Sequence, residues 1–195
     1  SDEVTLLSPG ELIASENSPT VAEILDWTLL WSDNLLAERL ARLSAQAAGF
    51  SLDDKGVDKV FRLLLNHFEI DASKLVVADA SGLSKQNKIT AQMMAELLYK
   101  VHKEEKFAPI YSSLPVGGVS GTLRNRFTTT APTAVGLIRA KTGTLNGTAT
   151  LAGFVQSTDR EYVFVLLADE IAKGNSALNK ARAAIDRVLG RIAAP

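Results

Sequence analysis

The chain has 195 residues, of which 46% are hydrophobic and 22% charged, a balance that suits one globular domain or a large part of one. Its formal net charge of -1 argues against a nucleic-acid partner or a polybasic membrane contact. There are no cysteines, which excludes disulfides and thiolate metal sites, and the two histidines stand alone, so no metal site is predicted.

The first elements are short. Extended segments are predicted at residues 4–7 and 11–14, on either side of a Ser-Pro-Gly turn. Thr20 followed by Glu23 is a capping-box pattern, which predicts that a helix begins there and runs to about Trp31.

Two tryptophans one turn apart on this helix, Trp27 and Trp31, are predicted to be core residues. A second helix should follow the tripeptide Ser-Asp-Asn at residues 32–34 and end at Gly49. Its predicted buried stripe consists of Leu36, Leu40 and Leu43.

Two more helices have a clear apolar period. The third covers residues 57–68, and the fourth begins near Thr90. A small polar loop at residues 79–84 separates them. The buried residues predicted for the two helices are Val57, Val60, Phe61, Leu64, Leu65 and Phe68, then Met93, Met94, Leu97, Leu98 and Val101.

The pattern then changes to alternating and apolar strands. Three consecutive strands are predicted at residues 137–142, 148–156 and 161–168. The third is apolar on both faces, so both faces should be covered by helices. A last helix at residues 176–192 would have Asn175 as its N-cap. Its predicted inward residues are Leu178, Ala181, Ile185, Val188 and Leu189.

Helices, then an antiparallel meander, then a helix indicate an α+β fold with a helical subdomain beside a sheet. Three strands make a thin sheet for a domain of this size. We therefore expect further strands to come from sequence outside this chain.

Two short motifs could carry chemistry: Ser-Asp-Asn at residues 32–34 and Lys-Thr-Gly-Thr at residues 141–144. Taken alone, the first is most simply a helix cap, and the second a strand that runs into a turn. Together they favour an acyl-transfer site, because S-D-N on a helical part and K-T-G on a strand occur in this order in penicillin-binding proteins and class A β-lactamases.

The chain resembles the low-molecular-mass class C penicillin-binding proteins in more than these motifs. Similar segments are the loop at residues 79–84, with Ala80 where the family has glycine, Leu-Pro-Val-Gly-Gly at 114–118, and Gly-Thr-Leu at 121–123. The strand after K-T-G, at residues 150–154, is also similar.

This resemblance implies a penicillin-binding or β-lactamase-like transpeptidase fold and a serine-type D-Ala-D-Ala carboxypeptidase or endopeptidase. The implied partners are peptidoglycan stem peptides that end in D-Ala-D-Ala, and β-lactam antibiotics. No nucleic acid is implied. The implied location is extracytoplasmic, in the periplasm or the cell-wall space. No cofactor is expected, because acyl transfer through serine needs none.

The resemblance also assigns roles to three catalytic residues. Ser32 would relay a proton to the departing D-alanine nitrogen. Asn34 would bind the substrate amide and orient the catalytic lysine of the family. Lys141 would place positive charge beside Ser32 and the substrate carboxylate.

Three neighbouring residues are implied in substrate binding. The hydroxyls of Thr142 and Thr144 would bind the terminal carboxylate, and Gly143 would let the strand edge approach the ligand closely. The substrate or a β-lactam would lie along that edge as an added strand. An amide near Thr144 would supply half of an oxyanion hole, with the nucleophile supplying the other half.

One part of the family pattern is missing, since no serine in this chain is followed by lysine three positions later. In the family this nucleophile lies upstream of large inserted domains. Residues 1–17 are therefore interpreted as a return segment from a missing region, and residues 18–195 as the C-terminal part of a penicillin-binding domain. The other interpretation is a catalytically inactive homologue.

Two other functions stay open. A class A β-lactamase would have a glutamate and an asparagine four apart in the region of Glu69, but Ser73 stands where the asparagine belongs. A non-catalytic module that binds D-Ala-D-Ala peptides would need no nucleophile. Lys85, just after the polar loop, either faces an acidic group of the stem peptide or, more commonly for lysine, is solvated.

Overall fold

The computed structural model describes residues 13–194, which contain six α-helices and a three-stranded antiparallel sheet and confirm the predicted α+β fold. The elements are α1 (Val21–Trp31), α2 (Asn34–Ala47), α3 (Asp54–His67), α4 (Ala91–Lys103), α5 (Ala108–Ser112), β1 (Ile138–Leu145), β2 (Thr148–Gln156), β3 (Glu161–Ala168) and α6 (Asn175–Ala193). Short 3-10 helices lie at Glu105–Phe107, Gly121–Leu123 and Pro132–Ala134. Within the described residues, no helix combines the length and the apolar character needed to cross a bilayer.

The predicted start of α1 is confirmed in detail. The Thr20 hydroxyl accepts a bond from the Glu23 amide at 3.3 Å, and the Glu23 carboxylate accepts one from the Thr20 amide at 2.8 Å. The latter bond lowers the pKa of Glu23. Thr90 caps α4 in the same way, by accepting a bond from the Met93 amide at 3.1 Å.

The predicted cap of α6 is wrong by one residue. Gly174 is the N-cap and Asn175 is the first helical residue. Gly174 has φ 110°, which glycine adopts easily, so the chain turns into the helix before Asn175. The extended segment predicted at residues 4–7 lies outside the described residues. Of the segment at 11–14, only residues 13 and 14 are described, and they belong to no regular element.

The sheet has the order β1-β2-β3, and its first strand is longer than predicted. Pairing continues past Lys141 to Leu145, which lies opposite Thr148. The two-residue turn between them contains Gly147 at φ 91°, so the strands can pair up to the turn itself. The whole Lys-Thr-Gly-Thr motif is therefore strand and not turn.

Two hydrophobic clusters support the fold. One lies between the sheet and α6 and includes Ile138, Leu151, Val155 and Leu189. The other joins α3 to α4. On the sheet, α6 packs mainly against β2 and α4 against β3. The prediction that helices cover both faces of β3 is wrong in part, because Tyr162 and Leu167 remain 42% and 38% exposed.

Several residues predicted to be buried are exposed in the described part of the chain. The sequence period identifies an apolar face but not what covers it. Helix α1 packs against α2, α5 and the 3-10 helix at Gly121–Leu123 and buries Thr28, whereas both tryptophans stay exposed. The exposed fractions are 56% for Trp27, 44% for Trp31, 58% for Leu43, 38% for Leu64 and 50% for Val188.

Candidate active site

The junction between α1 and α2 sets the position of Ser32. Ser32 ends α1 with φ 60° and ψ 50°, a left-handed conformation that is uncommon for serine, and its amide donates to the Thr28 carbonyl. Asp33 begins α2, since its carboxylate accepts a bond from the Leu36 amide at 2.9 Å. Asp33 is therefore the cap, and the hydroxyl of Ser32 is available for other contacts.

Lys141 reaches this hydroxyl from the sheet. Its Nζ donates to Ser32 Oγ at 2.6 Å and to the Thr142 carbonyl at 3.2 Å. Burial lowers the pKa of Lys141, because removing the ammonium from water disfavours the charged form. The contact joins the helical part of the molecule to β1 and brings together the two sequence motifs.

Asn34 is the first residue of α2 and is exposed. Its carboxamide makes no hydrogen bond to any of residues 13–194, so both its donor and its acceptor are available to a ligand. It follows Ser32 by two residues across the same junction. Asn34 and Lys141 make no hydrogen bond to each other in the described part of the chain.

The outer edge of β1 is open beside Lys141. At its start, the segment at residues 115–117 bonds to this edge through the Ile138 carbonyl at 2.8 Å and the Ala140 amide at 2.9 Å. Backbone groups alternate in direction along an antiparallel strand, so those of Thr142 and Thr144 also point outward. In the described residues the Thr144 amide has no partner on this side.

Both threonine hydroxyls have partners that the sequence did not indicate as site residues. Thr142 Oγ1 donates to Thr122 Oγ1 at 3.1 Å, and Thr144 Oγ1 accepts a bond from Arg182 Nη2 at 3.0 Å. The family-like segment at residues 121–123 was a signal for Thr122. No sequence signal pointed to Arg182, because a helical period cannot show which strand residue an arginine on the helix contacts.

Gly143 is needed for a reason within the sheet. A Cβ at this position would lie 2.3 Å from Oγ1 of Thr150, its partner on β2. A larger residue would therefore require the Thr150 hydroxyl to move away from β1.

The polar loop at residues 79–84 is fixed by two carboxylates. Glu38 on α2 accepts bonds from the amides of residues 80 and 81 at 2.9 and 2.8 Å. Asp79 accepts bonds from the amides of residues 82 and 84 at 2.6 and 2.5 Å. Lys85 then donates to the Asn146 carbonyl at 3.1 Å, so the loop reaches the turn that follows the Lys-Thr-Gly-Thr strand.

Comparison with known proteins decides the family. The model of the D-Ala-D-Ala carboxypeptidase 3 (S13) family matches residues 2–192. The chain belongs to this family. Among curated S13-like relatives, Carboxypeptidase DacB of Mycolicibacterium smegmatis is 34% identical over 93% of this chain and 40% of its own length. The D-alanyl-D-alanine carboxypeptidase of Actinomadura sp. is 34% identical over 81% of this chain and 30% of its own length.

Solved structures agree with the family. Penicillin-binding protein 4 (DacB) of Haemophilus influenzae, in complex with a β-lactam, is 26% identical with a TM-score of 0.77. The match covers 87% of this chain and 40% of that protein. The expected penicillin-binding fold is confirmed. The chain spans less than half the length of the relatives it matches.

Proposed function

We propose that the protein containing this chain is a serine-type D-Ala-D-Ala carboxypeptidase that cleaves peptidoglycan stem peptides through an acyl-enzyme. The observation that carries the proposal is the 2.6 Å contact between Lys141 Nζ and Ser32 Oγ, next to an unpaired strand edge. A hydroxyl beside a partly buried ammonium, next to an open strand edge, suits proton transfer during peptide cleavage.

The nucleophile comes from outside this chain. Residues 1–195 contain no serine with a lysine three positions later, whereas the family's nucleophile is the serine of an S-x-x-K element. The curated relatives are longer than the matched region, which supports a missing part that carries this element. The two parts together would form one site around Ser32.

In the acylation step, the nucleophilic oxygen bonds to the carbonyl carbon between the two D-alanines, and the carbon–nitrogen bond breaks. The nucleophile's proton passes to its lysine, Ser32 gives its hydroxyl proton to the departing nitrogen, and the lysine then returns a proton to Ser32. The positive charge of Lys141 favours this transfer by stabilising negative charge that develops on Ser32 Oγ. Asn34 donates to the substrate amide. Water then releases the shortened peptide.

Substrate binding uses the open edge of β1. An extended peptide would pair with the outward backbone groups of Thr142 and Thr144 as an added strand. The Thr144 amide would donate to the carbonyl oxygen as it becomes negative, as half of the oxyanion hole. The two threonine hydroxyls would bind the terminal carboxylate. A β-lactam would occupy the same edge and acylate the same serine.

The substrate determines the location. Stem peptides of peptidoglycan lie outside the cytoplasmic membrane, so we place the enzyme in the periplasm or the cell-wall space. No metal or cofactor takes part in the proposed reaction, because the serine, the lysines and the backbone amides supply every group that it needs.

The test is D-alanine release from a peptide ending in L-Lys-D-Ala-D-Ala by the full-length protein. We expect Ser32→Ala to lower kcat/KM about 100-fold, the usual effect of removing a proton-transfer group. The control is Ser44→Ala on the outer face of α2, where the hydroxyl bonds only to the Leu40 carbonyl. Equal activity of the two variants would contradict the role of Ser32.

A second candidate is a non-catalytic module that binds D-Ala-D-Ala peptides, which the absence of an S-x-x-K element from this chain favours. It predicts saturable peptide binding by a folded full-length protein without D-alanine release. Hydrolysis of nitrocefin should be slow in either case, because Ser73 replaces the asparagine that a class A β-lactamase needs.

A further inference from the structure

Arg182 lies at the candidate carboxylate site without a counter-charge. It belongs to α6, and its Nη2 donates to Thr144 Oγ1 at 3.0 Å. Its Nη1 makes a longer bond of 3.3 Å to Asn179 Oδ1. Among residues 13–194, no carboxylate lies within ion-pair distance of its guanidinium.

Arg126, a nearby arginine, has a structural role and differs from Arg182 in having a carboxylate partner. Arg126 is paired with the buried carboxylate of Asp186 on α6 through Nε and Nη2, the shortest contact being 2.5 Å. Arg126 Nη2 also donates to the Arg182 carbonyl at 3.3 Å. Arg126 therefore fixes the turn of α6 that carries Arg182, while the charge of Arg182 stays uncompensated.

Two further cations lie along β1 and the turn that follows it. Lys141 Nζ bonds to Ser32 Oγ at 2.6 Å, and Lys85 bonds to the Asn146 carbonyl at 3.1 Å. In the described part of the chain, neither lysine is paired with a carboxylate. Unpaired positive charges on Arg182, Lys141 and Lys85, along one strand and its turn, favour the binding of an anion to this part of the molecule.

We propose that Arg182 binds the α-carboxylate of the substrate's terminal D-alanine together with Thr144, an inference that rests on the proposed function. A guanidinium presents two parallel N–H groups that match a carboxylate. Because Arg182 occupies an acceptor lone pair of Thr144 Oγ1, the hydroxyl proton is directed elsewhere and can be donated to the ligand. Arg182 thus contacts the carboxylate and also orients Thr144.

The experiment compares two substrates in the full-length protein: the diacetylated peptide L-Lys-D-Ala-D-Ala as free acid and as C-terminal amide. Arg182→Gln removes the positive charge, and Arg182→Lys keeps the charge but removes the two parallel N–H groups of the guanidinium. The control, Arg187→Gln, removes an exposed positive charge elsewhere on α6. For the free acid we expect Arg182→Gln to lower kcat/KM about tenfold, mainly through KM, as for a lost bond to a charged group. Arg182→Lys should recover part of the loss.

On the amide, Arg182→Gln and Arg187→Gln should not differ, because that substrate has no carboxylate. Equal effects of these two variants on the acid, or an equal loss on acid and amide, would overturn the assignment and leave the proposed function intact. If Arg182→Gln does not fold, Arg182→Lys decides: an unchanged KM for the acid contradicts the assignment. A folded wild-type protein that releases no D-alanine from the acid would instead overturn the proposed function and this inference with it.

Discussion

Lys141 is partly buried beside oxygen atoms and not beside a counter-ion. Its ammonium donates to the Ser32 hydroxyl and the Thr142 carbonyl, and no carboxylate among residues 13–194 is within ion-pair distance. Burial therefore lowers its pKa below the ordinary lysine value of 10.5. Lys141 loses its proton, and with it the charge that the proposed proton transfer needs, at a lower pH than an ordinary lysine.

The pH profile of D-alanine release tests this charge. We expect kcat/KM of the full-length protein to fall on the alkaline side below pH 10.5, the ordinary lysine pKa. In Lys141→Arg this fall should move to higher pH, because a guanidinium stays protonated above about pH 12. Lys180→Arg, at an exposed position on α6, is the control. An alkaline limb that coincides in wild type and Lys141→Arg would contradict a role for the Lys141 charge.

At the scale of elements, the turn from α1 to α2 holds Ser32 in a left-handed conformation. Such a conformation costs a non-glycine residue about 1 kcal/mol or more. Its amide still bonds to the Thr28 carbonyl, and Asp33 caps the next helix. The surrounding helices therefore impose a conformation that serine alone would avoid, at the residue proposed to transfer a proton.

Two substitutions of Ser32 distinguish the effect of the hydroxyl on activity from the effect of the backbone conformation on stability. Ser32→Gly and Ser32→Ala both remove the hydroxyl, so both should lose activity to a similar extent. Because glycine adopts φ 60° without strain, we expect Ser32→Gly to be more stable than Ser32→Ala by about 1 kcal/mol. Urea unfolding of the full-length variants measures the difference. A glycine variant clearly less stable than the alanine variant would contradict the strain.

A polar contact ties α5 to the start of β3. The Tyr111 hydroxyl donates to Glu161 at 2.5 Å, and His102 on α4 lies 3.2 Å from the same carboxylate. Burial, followed by the bond to Glu161, raises the pKa of Tyr111 from 10.0 to about 12. Because the folded-state pKa is the higher one, the stabilisation is complete below pH 10 and is lost as the pH rises through 12.

Tyr111→Phe should therefore destabilise the protein by about 1.5–3 kcal/mol at neutral pH, the usual range for a bond to a charged group. The gap between wild type and variant should shrink as the pH rises from 10 towards 12. Urea unfolding at several pH values measures it, with Tyr99→Phe at a 55% exposed position as the control. If the difference in free energy of unfolding between wild type and Tyr111→Phe does not change with pH, the proposed contribution of the Tyr111–Glu161 bond is contradicted.

An element could be predicted from the sequence where the residues that determine it lie close together in the chain. The start of α1 depends on Thr20 and Glu23, which lie within one turn, and it was predicted correctly. The burial of Trp27 and Leu43 depends on what packs against them, and no sequence period contains that information. The 3-10 helix at Gly121–Leu123 is too short to have a period, although it places Thr122 against β1.

On the scale of the whole molecule, the candidate site is assembled from distant segments. The motifs were visible in the sequence, but the contact of Ser32 with Lys141 joins residues far apart in the chain. The position of Arg182 depends on how α6 packs on the sheet, so no spacing could indicate it. Sequence patterns predict which residues are chemically suitable, and the fold determines which of them meet.

The proposed reaction needs a nucleophile that this chain does not contain, since the chain spans 40% of the length of Carboxypeptidase DacB and has no S-x-x-K element. On the outer face of α1, Trp27 and Trp31 are exposed, and Trp31 directly precedes Ser32. For the proposed reaction to occur, another part of the same protein has to bring a serine close to Ser32 and Lys141.

Acylation by a labelled penicillin tests this requirement most directly. The full-length protein should form one covalent adduct per molecule, located by peptide mapping on a serine outside residues 1–195, and Lys141→Ala should slow its formation about 100-fold. A folded full-length protein that takes up no label would contradict the enzymatic account, and so would an adduct on a serine within this chain.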